Sequence, residues 1–146
     1  MATVGTHDVP TISGFVTGDH VTVRAQLGLL KDPEGERNAS ELRLSAWRDL
    51  LTAERMLQPG RGPSADEFTV AMYGFLARTA SVLIGISLAD AVGDRRTQNV
   101  PGTTDEYPNW RVPLCDSEGK AVLIEDLPDF RLLRAVVTAA TSGPPQ

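Results

Sequence analysis

The amino-acid sequence predicts an α/β chain in which two short parallel strands are joined by a long helical crossover. Three observations carry that expectation. The chain opens on an apolar run, Ala2-Thr3-Val4-Gly5-Thr6, which delivers His7 and Asp8 at its C-terminal end, the way a β/α barrel presents a catalytic acid. A second run, Ser81-Val82-Leu83-Ile84-Gly85-Ile86, is continuously aliphatic and β-branched, as expected of a strand buried on both faces. Between the two runs lie helical patterns with N-terminal capping signals, the kind of crossover that parallel neighbours require.

Residues 1–6 form the first strand, with Val4 as its inward anchor. Pro10, Gly14 and Gly18 break regular structure and make residues 7–18 a loop. Asp19 caps a helix reaching Leu30, with Val21, Val23, Leu27, Leu29 and Leu30 as apolar contacts. Lys31 to Arg37, carrying Pro33 and Gly35, reads as a solvated turn. Asn38 as N-cap, with Glu41 three residues on, starts a second helix whose stripe is Leu42, Ala46, Leu50, Ala53 and Leu57. Pro59 to Pro63 ends it. Ser64 and Glu67 then form a capping box for a third helix, with Phe68, Ala71, Met72, Phe75 and Leu76 on one face. The short connection favours an antiparallel pair of helices, and Trp47, Met72 and Phe75 are core or interface residues.

After the second strand, Leu88 to Val92 makes a short helix, residues 93–113 a polar loop, and Ala121 to Ile124 a small strand. Pro128 opens a last helix carrying Phe130, Leu132, Leu133, Val136 and Val137. Residues 1–141 are expected as the folded unit, with 142–146 a flexible tail.

Composition narrows the function classes. A length of 146 residues with 41% apolar content suits one globular unit. The net charge of −5 lacks the clustered basic face of a nucleic-acid binder. The lone Cys115 excludes an internal disulfide and a multi-thiolate metal site, and it fits a reducing cytoplasm. His7 and His20 have no supporting cysteine, so neither a metal nor a cofactor is expected. No run approaches the ~20 apolar residues of a membrane span, and no signal peptide opens the chain. No membrane association is expected, and Met1 is either a true start or a point at which a longer protein is cut.

Several polar residues have both a structural and a functional reading. Asp8 can cap a turn through its own backbone, or it can act as a carboxylate in catalysis. His7 is either a satisfied loop histidine or a simultaneous donor and acceptor toward ligand hydroxyls. Asn99 and Asn109 are turn formers or ligand-binding amides, Pro101-Gly102 shapes the loop, and Trp110 stacks on a ligand ring or anchors the loop. Arg111 is expected to pair with Glu106 or Asp105, Arg95 and Arg96 to be solvated, and His20 to be an exposed helical residue.

Two segments carry a family resemblance. Thr6-His7-Asp8-Val9-Pro10-Thr11-Ile12-Ser13-Gly14-Phe15 resembles the T-H-D segment of the 4-α-glucanotransferases, the amylomaltase or disproportionating-enzyme family. Asn99 to Arg111 resembles the same family's N-x-P-G-T-x-x-E-Y-P-N-W-R signature. The second motif is the more specific, because it fixes most of its positions.

The resemblance implies the C-terminal fragment of a (β/α)8 barrel: its last two strands, the helical crossover between them and a C-terminal helix. A whole barrel takes ~250 residues. It also implies retaining transfer of α-1,4-glucan segments between maltooligosaccharides. Such transfer uses a carboxylate nucleophile, a carboxylic acid and a third, transition-state-stabilising carboxylate. Asp8 resembles the third, with His7, Asn99, Gly102, Asn109 and Trp110 as substrate-binding residues. The nucleophile and the acid belong to earlier strands. The expected partners are therefore an α-1,4-glucan and the N-terminal part of the barrel, and the isolated chain is expected to be inactive. The alternative is a non-catalytic remnant that keeps the loop as a glucan-binding or interaction protein.

Overall fold

The computed structural model describes residues 1–142, so the last four residues of the expected tail lie outside the described residues. The chain runs β1 (Ala2–Thr3), α1 (Ile12–Thr17), α2 (Asp19–Gln26), α3 (Pro33–Ala53), α4 (Ala65–Leu76), β2 (Ile84–Gly85), α5 (Leu88–Ala91), a 3₁₀ helix (Ile124–Asp129) and α6 (Arg131–Thr141). The two strands pair in parallel, Ala2 opposite Ile84 and Thr3 opposite Gly85, with α1 to α4 forming the crossover. Both strands are much shorter than the apolar runs that predict them. A two-stranded pair has no outer neighbours to extend its ladder, and Val82 and Leu83 stand 95% and 63% exposed.

The predicted loop over residues 7–18 contains a helix. The Thr11 hydroxyl accepts a bond from the Gly14 N–H at 3.0 Å and caps α1. Gly14 is there for space and not as a breaker: a Cβ on it would lie 2.5 Å from the Arg95 carbonyl oxygen. Gly18, at φ 77°, closes α1 and starts α2, so Asp19 sits in the first turn of α2 and is not its cap. That helix stops at Gln26, short of Leu30.

The expected turn over Lys31–Arg37 is also helical. Asp32 accepts the Gly35 N–H at 2.9 Å, and Pro33 occupies the first turn, where its fixed φ is pre-organised. The helix therefore starts well before Asn38. Its buried residues are Ser40, Leu44 and Leu51, whereas Leu42 is 72% exposed and Ala46, Leu50 and Ala53 face outward with it. Two apolar stripes run along α3. Periodicity gives their spacing but not which of them meets the core.

The capping box of α4 is present as expected, with Glu67 N–H donating to Ser64 Oγ and Ser64 N–H to the Glu67 carboxylate. This helix packs mainly against α6 and α1, and only lightly against α3. The core joins Ile12, Leu44, Leu51, Phe68, Met72, Tyr73 and Val136, with Trp47 and Phe75 packed on its edge. The short α5 forms where expected and is capped by Ser87. The small strand over Ala121–Ile124 reduces to one antiparallel bridge, Cys115 with Ala121. Pro128 lies inside the 3₁₀ helix, and α6 begins after it at Arg131.

Replacing Gly14 by Ala separates the two meanings of a helical glycine. Relief of glycine's entropy would stabilise the helix by ~0.5–1 kcal/mol. Forcing a methyl against the Arg95 carbonyl should instead cost ~1–3 kcal/mol. We expect a lowered urea midpoint for Gly14→Ala; an unchanged or raised midpoint would show that the 93–113 loop does not press on α1.

Candidate active site

Two loops, one following β1 and one following β2 and α5, meet. The first turns at Thr6, whose carbonyl accepts the Val9 N–H at 3.2 Å, and it carries His7 and Asp8. The second, residues 93–113, is closed at its base by Asp94, whose residue is 1% exposed. The Asp94 carboxylate accepts the Arg96 backbone N–H (2.9 Å), both arms of the Arg96 guanidinium (3.0 and 2.8 Å) and the Cys115 N–H (3.0 Å). Arg96 also donates to the Pro113 carbonyl. Arg96 is thus a structural clamp and not a solvated residue, and its bond to Asp94 holds it more firmly protonated.

Inside the loop, Asn109 Oδ1 accepts the Val100 N–H at 2.8 Å, and its Nδ2 donates to Thr103 Oγ1 at 2.8 Å. The Tyr107 hydroxyl donates to the Thr97 carbonyl at 2.6 Å. Gly102 takes φ 91°, the left-handed turn that glycine adopts without penalty. Glu106 accepts from the backbone and hydroxyl of Thr104; the backbone bond is the larger cause that lowers its carboxyl below the ordinary range. Among the described residues Arg111 makes no ion pair with Glu106 or Asp105, contrary to expectation.

Across the gap, Asn99 Nδ2 donates to Asp8 Oδ1 at 2.7 Å, and His7 Nε2 lies 3.3 Å from Asp8 Oδ2. The His7 and Trp110 rings stand 4.8 Å apart. Trp110 is 63% exposed and is held at φ 62°, so its indole faces outward from a strained backbone and does not anchor the loop. The two separated sequence motifs therefore build one cluster: a carboxylate oriented by an amide and an imidazole, beside an open aromatic face. Such a group can bind sugar hydroxyls and oppose positive charge on a ring.

A cavity of about 230 Å³ adjoins this cluster, lined by Asp8, Asn99, Pro10 and the α2 residues His20, Val23 and Arg24 among others. A larger cleft, about 600 Å³, lies between the α3–α4 connection, α4 and α6 and holds none of the expected site residues. Among the described residues no cluster of His, Cys, Asp or Glu is placed to hold a metal ion. No described helix is long and apolar enough to cross a membrane.

The model of the 4-alpha-glucanotransferase family matches residues 1–117. The chain belongs to that family. It is 45% identical to the 4-alpha-glucanotransferases of Mycobacterium tuberculosis and Mycobacterium bovis over 99% of its own length and 20% of theirs. It is 31% identical to the Haemophilus influenzae 4-alpha-glucanotransferase over 75% of its length and 17% of that protein. The crystal structure of amylomaltase from Corynebacterium glutamicum superposes with a TM-score of 0.84 at 38% identity, covering 94% of this chain and 21% of that one. The chain thus spans about a fifth of the length of the curated relatives it matches.

Within this chain, the supporting residues that sequence reasoning missed are Asp94, Arg96 and His20. Arg95 is exposed, as expected, and it also pairs with Asp19 through two bonds of 2.6 and 3.0 Å. His20 is half-buried and pins three helices. A carbonyl can only accept, so Nδ1 carries the proton donated to Gly14 O at 3.0 Å, and Nε2 accepts from the Ser40 hydroxyl at 3.2 Å. Burial lowers the His20 pKa below its ordinary value, against the bond to Gly14 that favours the proton.

That direction fixes a pH effect. The unfolded chain takes up a proton on His20 near pH ~6.5, while the folded chain resists it. Stability contributed by neutral His20 is present above that pH and is lost as pH falls toward the folded pKa. Urea midpoints measured from about pH 7.5 to about pH 5.5 should fall more steeply for the wild type than for His20→Asn. Equal slopes would show that His20 does not report on folding.

Proposed function

We propose that this chain is the C-terminal part of a (β/α)8 barrel that transfers α-1,4-glucan segments between maltooligosaccharides with retention, β1 and β2 being the seventh and eighth barrel strands. The observation that carries the reading is the Asn99–Asp8 bond, which joins the T-H-D turn to the signature loop at one end of the parallel pair. The fold similarity to an amylomaltase over nearly the whole chain supports it. Retaining transfer needs two carboxyl groups roughly 5–5.5 Å apart, one attacking the anomeric carbon and one protonating the leaving oxygen. We assign both to a preceding segment of the barrel.

Asp8 then acts as the third carboxylate. Its charge opposes the positive charge that develops on the sugar ring in an oxocarbenium-like transition state. His7 and Asn99 orient that carboxylate and meet sugar hydroxyls, and Trp110 offers its open face to a glucose ring. Gly102 and Asn109 keep the loop in shape, and the Asn109 amide is already bonded within it. The unpaired, buried Cys115 fits a reducing compartment, and we place the protein in the cytoplasm.

Two measurements test this reading. In a protein that includes the preceding barrel segment, Asp8→Asn keeps size and hydrogen bonding but removes the charge. It should lower kcat by a factor on the order of 10² or more. An unchanged kcat with a raised KM would make Asp8 a uniform binding residue. The 146-residue chain alone, incubated with maltotriose, should give no glucose or longer maltodextrins by chromatography until the N-terminal part is supplied. Disproportionation by the chain alone, above a mock-purified control, would overturn the division of carboxylates.

A further inference from the structure

The Asn99–Asp8 contact joins residues 91 apart in sequence, on loops that leave a sheet of only two register pairs. So short a ladder leaves the relative placement of the two loops weakly fixed. A largely buried chain of hydrogen bonds links the elements that precede and follow them. The Ser87 N–H, where β2 hands over to α5, donates to the Tyr73 hydroxyl oxygen at 3.0 Å. The Tyr73 O–H donates to Asp90 Oδ2 at 3.0 Å, and the Ile12 N–H, at the start of α1, donates to Asp90 Oδ1 at 2.7 Å.

We propose that Tyr73 and Asp90 are positioning residues of the sugar site: their hydrogen-bond chain sets the separation of the His7–Asp8 turn from the 93–113 loop, and so the Asn99–Asp8 contact. The proposal rests on the reading of Asp8 and Asn99 as substrate-facing.

The connectivity supplies the argument. From Ile12 the chain runs back through Pro10, whose φ is fixed, to Asp8. From Asp90 it runs forward through the Asp94 clamp to Asn99. The Ile12–Asp90 bond and the Asn99–Asp8 bond therefore close one circuit, with short, stiffened segments on both sides. Every hydrogen in the chain has one direction. An ionised carboxylate can only accept, and the single Tyr73 hydrogen is committed to Asp90, which leaves its oxygen for Ser87.

Tyr73 is fully buried and Asp90 5% exposed, so water is poorly placed to substitute for a lost partner. A purely packing role for Tyr73 makes a different prediction. Phenylalanine fills nearly the same volume, and a core-filling ring would tolerate the change with the site undisturbed.

The experiment uses the full 146-residue chain, isotopically labelled, with the side-chain amide of Asn99 and the indole N–H of Trp110 followed by NMR. Asp8→Ala supplies the reference position of an Asn99 amide that has lost its acceptor. In Tyr73→Phe the Asn99 signals should move most of the way toward that reference, while the core methyls of Val136 and Ala140 stay at their wild-type shifts. Asp90→Asn keeps the acceptor for Ile12 and loses the acceptor for Tyr73, so it should move Asn99 the same way. It carries the test where Tyr73→Phe does not fold. The proposal is overturned if the Asn99 signals stay at wild-type positions while the Ser87 and Ile12 amides report the broken chain. Glucan transfer does not enter the measurement, so this outcome is independent of the Asp8→Asn kinetics.

Discussion

The arrangement at the mouth of this fold depends on a buried carboxylate. Burial pushes the Asp90 carboxyl above its ordinary value, and the donors from Ile12 and Tyr73 oppose that shift. Burial, reinforced by the neighbouring Asp90 charge, pushes the Tyr73 hydroxyl well above its ordinary range and keeps it protonated, so it is a fixed donor toward Asp90. Each buried group left without a partner would cost ~1–3 kcal/mol. Deleting one member strands its neighbours as well, which makes the cluster behave as a unit. It joins α1, α4, α5 and the end of β2, four elements that the short sheet does not bind together.

Asp94 does for the 93–113 loop what Asp90 does for the elements around it. The two carboxylates come from one short piece of chain. Asp90 lies within α5, and Gly93, at φ 78°, turns the backbone so that Asp94 follows it. The turn is tied back by the Asp94 N–H, which donates to the Ala89 carbonyl at 2.8 Å. Ala89 and Ala91 are small and buried, which lets the neighbouring elements approach closely enough for both carboxylates to find backbone donors. A bulkier α5 would move both clamps away from their partners.

Local signals were legible in the sequence, and this explains where the reading succeeded. The Ser64–Glu67 box, α5 and the parallel pairing of the two apolar runs were all predicted, because caps and β-branched runs act over a few residues. The hidden features were set by distant partners. Gly14 reads as a breaker until the Arg95 carbonyl lies against it, and Asp32-Pro33 reads as a turn although it begins a long helix. At the site, the motifs brought Asp8 and Asn99 together. Asp90, Asp94 and His20 gave no sign, because nothing near an aspartate in sequence tells whether it is buried, and the Ile12 donor to Asp90 is 78 residues away.

The exposed face and its buried support divide the work. Trp110 holds a left-handed φ without being glycine, a conformation that costs on the order of 1–3 kcal/mol and persists only where the surroundings over-determine it. Those surroundings are identifiable: the Trp110 N–H donates to the Gln98 carbonyl at 2.9 Å, Asn109 ties Val100 to Thr103, and Asp94 closes the loop below. An indole that is 63% exposed contributes little to the core, so its strain is offset by polar bonds beneath it and not by its own burial. The same holds for Asp8, whose half-exposed carboxylate is oriented by Asn99 and His7. Side chains left open for a ligand are held here by polar bonds within and between their loops. Those loops are tied in turn to the buried carboxylates Asp90 and Asp94, a rigidity that a sheet of two register pairs could not supply alone.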